Sequence, residues 1–108
     1  MSVMGWFQLG TGQAAYGGGE AGSSAIDVTV GFKPIYVKVF NLDSSNQDFF
    51  ELIRGDDDTD MGEGMKFDVD TGDVSELSTN GITLNEDGFT IGTECTTNSE
   101  DYMWMAFG

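Results

Sequence analysis

Histidine is absent from the 108 residues. That removes both the commonest general base and the commonest transition-metal ligand. Cys95 is the only cysteine, so no intrachain disulfide can form. It sits in Gly92-Thr93-Glu94-Cys95-Thr96-Thr97, without a neighbouring Lys or Arg to lower its pKa, and its acidic neighbours raise it. Cys95 therefore reads as a small residue at a strand end, and no G-x-S-x-G offers a serine nucleophile in its place. Basic residues are scarce: 4 against 19 acidic ones, for a net charge of −15. Neutralising nucleic-acid phosphates needs clusters of Lys and Arg, and an anionic membrane would repel this chain. No apolar run approaches the roughly 20 residues of a membrane span. The opening residues carry neither the charged nor the apolar region of a cleaved leader, so none is expected. Proline occurs once, and no stretch keeps a helical period over three turns.

What is present is alternation. Ile82 and Leu84, then Phe89 and Ile91, are apolar residues separated by one polar residue, the period of half-buried strands. Asn85-Glu86-Asp87-Gly88 between them predicts a β-hairpin turn, with Gly88 at the place expected to need positive φ. Tyr102 to Phe107 is apolar throughout and is expected to be a central strand covered on both faces.

Upstream, Val3 to Leu9 suits a first strand or an N-terminal arm carrying Trp6 and Phe7. Gln13 to Ser24, with Gly17-Gly18-Gly19 at its centre, has the composition of a flexible loop and lacks the Lys of a P-loop. Ile26 to Val30 alternates with Ile26, Val28 and Val30 inward. Gly31 to Pro34 is a turn. In Ile35 to Phe40, residues Ile35, Val37 and Val39 share one face, and Tyr36, Lys38 and Phe40 the other. Two aromatics on that second face imply either a covering layer or an interface. Phe49 to Arg54 is a further strand, and Met65 to Asp70 another with Met65, Phe67 and Val69 inward. Thr71 to Ser78 is turn-like, with room for one helical turn. These elements predict a single domain over 1–108, with 1–12 as arm or first strand. Its fold is an all-β antiparallel sandwich, jelly-roll-like, of seven or eight strands.

The acidic residues concentrate in turns. Asp56, Asp58 and Asp60 alternate and Glu63 follows, an oxygen-rich set that suits Ca²⁺ or Mg²⁺. An EF-hand is excluded, because Met61 stands where its loop needs Gly and Phe67 where it needs Glu. The same residues also suit a solvated acidic loop. Asp68, Asp70, Asp73 and Glu76 form a second imperfect cluster. Carboxylates abound, but glycoside hydrolysis needs two of them facing across a deep cleft, for which a small sandwich has little volume. Enzymatic activity is not expected.

Two segments resemble a known class. Asp87-Gly88-Phe89-Thr90-Ile91-Gly92, a polar loop, and the closing Trp104-Met105-Ala106-Phe107 strand look like small virion structural proteins and fibre modules of tailed bacteriophages. Gly31-Phe32-Lys33-Pro34-Ile35-Tyr36-Val37-Lys38-Val39-Phe40-Asn41 resembles another strand of such proteins. The resemblance implies synthesis in a host cytoplasm and a place on the virion capsid surface. It further implies a decoration or cement role, with the major capsid protein and copies of the chain itself, as trimers, for partners. Trp6, Phe7, Tyr36 and Phe40 are then the expected contact residues. The alternative it implies is a tail or fibre module that binds host-surface glycans, for which Tyr16, Tyr36, Phe40, Tyr102 and Trp104 have the right chemistry.

Overall fold

The computed structural model describes residues 12–45, 47–54 and 62–108. Their fold is an antiparallel all-β sandwich of nine strands, against the seven or eight that the turn spacing implies. The strands are β1 (Ala14–Glu20), β2 (Ile26–Thr29), β3 (Tyr36–Asn41), β4 (Asp48–Ile53), β5 (Met65–Asp68), β6 (Val74–Glu76), β7 (Ile82–Asn85), β8 (Gly88–Ile91) and β9 (Asp101–Phe107). Six form one sheet in the order β1-β9-β3-β4-β5-β6, and three form a second in the order β2-β8-β7. A 3-10 turn at Thr93–Cys95 joins β8 to the final strand.

The core lies between the sheets. Val37, Val39, Phe50, Leu52 and Ala106 from the large sheet meet Ile82, Phe89 and Ile91 from the small one, with Cys95 among them. Alternation produces this directly. Register pairs Val39 with Phe50 and with Trp104, and Val37 with Leu52 and with Ala106. In the small sheet Ile26, Ile91 and Ile82 form one inward row, and Val28, Phe89 and Leu84 the next.

The expected hairpin is β7 and β8, but Gly88 serves it differently. Neither Gly88 nor the loop residues Glu86 and Asp87 has a positive φ. Gly88 is required by a close approach instead, since a Cβ there would collide with the Val28 carbonyl of the neighbouring strand. Asn85 Oδ1 accepts from Asp87 N at 3.2 Å and closes the turn.

Four expectations about placement are corrected. Gln13 to Ser24 is not a loop over its length, because β1 runs through its glycines. Gly17 and Gly19 pair with Trp104 and Tyr102. A Cβ on Gly17 would lie 2.7 Å from the Trp104 ring, and one on Gly19 3.5 Å from the Tyr102 hydroxyl. The neighbour's aromatic rings thus supply the cover that glycine lacks, which makes a strand of a glycine run. Thr71 to Ser78 holds strand β6, not a helical turn. Met65 and Phe67 face outward, because register sets Lys66 beside inward Phe50 and Phe67 beside outward Phe49; Val69 lies in an exposed turn. Finally, β9 is covered on one face only: Met103 is 49% exposed and Phe107 43%. The expected first strand, with Trp6 and Phe7, lies outside the described residues.

Candidate functional site: the outer face of the large sheet

The small sheet covers only one face of the large one. On the other face, residues alternate outward from every strand and line up in rows across it. One row runs Gly18, Met103, Phe40, Phe49, Phe67, Val74 from β1 to β6. The next runs Tyr16, Met105, Lys38, Glu51, Met65, Glu76. A shorter row holds Ala14, Phe107, Tyr36 and Ile53. Tyr16 is 83% exposed, Ile53 55% and Val74 54%. Tyr36 and Phe40 therefore lie where their strand period puts them, on the face opposite the core.

The face is organised at its centre. Lys38 Nζ sits 4.5 Å from the Phe49 ring centroid and 5.1 Å from that of Phe40, a cation held over aromatic faces. It also lies 3.9 Å from Glu51 Oε2, which accepts a hydrogen bond from the Tyr36 hydroxyl. Partial burial, reinforced by that bond and by the Glu51 charge, pushes the Tyr36 pKa well above the tyrosine range. Phe49 and Phe67 stack at 4.6 Å with planes 9° apart. Parallel rings this close cannot lie side by side in one plane, so they stand up from the sheet and turn their faces on each other. At the β1 end Gly18 leaves a depression of about 470 Å³, bordered by Tyr16, Glu20, Leu42, Asp101 and Met103.

The other candidate residues are placed apart from this face. Asp56, Asp58 and Asp60 lie outside the described residues. Glu63 Oε1 accepts from Gly81 N at 3.0 Å, and the Glu63 backbone carbonyl accepts from Ile82 N at 2.7 Å, so this residue ties the β5 approach to β7. In the second cluster Asp68 Oδ1 accepts from Asp70 N and Thr71 N and shapes a turn. Among the described residues no group of three or more His, Cys, Asp or Glu is arranged to hold a metal ion. Tyr102 and Trp104 point inward over the glycines of β1. Cys95 is fully buried; that burial, then the charges of Glu94 and Glu63, pushes its pKa up to about 12. Among the described residues no helix is long and apolar enough to cross a membrane.

One polar group that sequence reasoning missed stands at the β4 end. Asp48 is buried, its side chain 2% exposed, and among the described residues its Oδ1 has no hydrogen-bond partner. Oδ2 lies 3.8 Å from Lys66 Nζ, and Asp68 is its cross-strand neighbour. A polar residue opening an apolar strand was the signal available for it.

Comparison with protein-family models, curated proteins and solved structures finds no match to this chain.

Proposed function

We propose that this chain is a non-enzymatic structural protein of a tailed-bacteriophage virion, a decoration protein that binds the outer head surface and stabilises the shell. The observation that carries the reading is the open outer face of the large sheet. It offers aromatic and methionine side chains in rows across six strands, a surface suited to adhesion between proteins. Reaction chemistry has little to work with: the chain contains no histidine, and its one thiol is buried with a raised pKa. Multivalency supplies the stabilisation. Each copy has a modest interface, and many copies bridging coat subunits raise the cost of opening the shell.

The resemblance of the closing segments to phage virion proteins directs the reading to the capsid. The −15 charge favours a basic coat surface as the complement of the loops. Against the glycan-binding alternative stands the stacked Phe49–Phe67 pair, whose faces are turned on each other and not toward a sugar ring. The test is location. Reconstruction of the virion should show density for this chain on the outside of the head, and particles lacking it should lose their DNA at lower temperature. Density on the tail, or binding on a glycan array, would overturn the assignment.

A further inference from the structure

We infer that the outer face of the large sheet is a self-association surface, on which a second copy of this chain packs about a two-fold axis running along the strands between β3 and β4. The inference stands without the virion assignment; on a head, the outer face would join copies of this chain and the acidic loops would meet the coat.

The rows are self-complementary about that line. A two-fold axis parallel to the strands keeps each row in place and reverses its order, as an isologous interface requires. In the charged row, Lys38 then meets Glu51 of the second copy, and Glu51 meets Lys38; next to them Met105 meets Met65. At the ends of that row Tyr16 faces Glu76, a hydroxyl opposite a carboxylate. In the apolar row Phe40 meets Phe49, and Met103 meets Phe67. Its ends differ in size in the required sense: Val74, 54% exposed, falls opposite Gly18, where the surface already has its depression. The two sheets would pack face to face at about 10 Å, within the usual ~30° of alignment.

Charge selects the occupant. Each molecule carries −15, yet the centre of this face holds one lysine and one glutamate already in contact. A basic partner finds no excess of acid there, whereas an identical copy finds an alternating ring of two lysines and two glutamates. Six strands at ~4.8 Å and three residue rows give on the order of 1,000 Å² for the two copies together. That is the low end of specific interfaces and implies a reversible, concentration-dependent dimer.

The test is sedimentation equilibrium of the full chain across a salt series. Wild type should dimerise, more strongly at 0.5 M than at 0.02 M NaCl, because salt screens the repulsion between the two acidic bodies (~4 Å against ~20 Å screening length). Lys38→Glu and Glu51→Lys should each weaken the dimer by about tenfold or more, since each places four like charges at the centre. An equimolar mixture of the two variants should restore it, because every contact between the two copies then pairs opposite charges. If either reversal fails to fold, Val74→Arg, at an exposed edge position, decides: loss of the dimer is expected, and an unchanged dimer overturns the inference. A wild-type monomer at all salt concentrations overturns it, as does a mixture of folded variants that stays monomeric. So does a monomer that dimerises only once residues 1–11 are removed, which would make the chain's own N-terminal segment the occupant.

Discussion

The rings of Phe89 and Trp104 meet across the sandwich with centroids 5.3 Å apart and planes at 79°. Phe89 comes from the centre of the small sheet and is fully buried; Trp104 comes from β9 of the large one. This edge-to-face contact is an aromatic tie between the two layers, and it joins the closing hairpin to the final strand. Phe89→Ala removes it and leaves a cavity that rigid strands cannot close. The expected loss is roughly 3 to 5 kcal/mol, a large part of the 5 to 15 kcal/mol that holds a domain together. Urea unfolding followed by tryptophan fluorescence checks it; a loss below about 1 kcal/mol would mean that the sheets are held elsewhere.

Trp104 also covers the glycine strand on its other side. Adding a side chain at Gly17 forces the indole to move, because the new Cβ would lie 2.7 Å from its ring. Gly17→Val should therefore destabilise by about 1 to 3 kcal/mol through overpacking. Gly22→Ala is the control, since a Cβ there has nothing within 4 Å, and it should change stability by less than about 0.5 kcal/mol. Thermal melts of the two variants side by side give the comparison.

These two contacts show what was legible in the sequence. Phe89 was, because Ile82, Leu84, Phe89 and Ile91 alternate about a turn and the turn residues are adjacent. β1 was not, because glycine carries no side chain to alternate; its cover comes from Trp104 and Tyr102, far along the chain. Met65 and Phe67 mark another boundary. Period shows that they share a face, but choosing the buried face takes the pairing with β4, which sets Lys66 beside Phe50. A large sheet with apolar residues on both faces hides that choice. For the candidate surface, the strand period placed Tyr36 and Phe40 on the face away from Val37 and Val39. The partners that build a continuous patch, Phe49, Phe67, Met103 and Val74, became visible only through register.

Cys95 should behave as core. It is fully buried in the 3-10 turn, and burial followed by the Glu94 and Glu63 charges pushes its pKa up to about 12. The thiolate is the reactive form, so a thiol reagent at pH 8 should leave the native protein unlabelled and label it fully in denaturant. Rapid labelling of the folded chain would show that the turn opens.

Asp48 is the group whose ionisation the fold resists. Burial raises its pKa; Lys66 acts in the opposite direction, and Asp68, Asp70 and Asp43 add to the rise. A carboxyl whose folded pKa is raised binds its proton more tightly in the folded state. Its favourable contribution is complete below the unfolded pKa of about 3.9 and is lost as pH rises through the folded value. Above its folded value the group is a buried carboxylate whose Oδ1 is unpartnered among the described residues. Asp48→Asn removes the charge and keeps the shape, while Lys66, its side chain 27% exposed, can turn to water. The variant should be more stable than wild type at pH 7 by about 1 to 2 kcal/mol, several degrees in Tm for a domain of this size. The two melting curves should converge as pH falls toward 3. A variant that is less stable at pH 7 would show that the Lys66 pairing outweighs the cost of burying the charge.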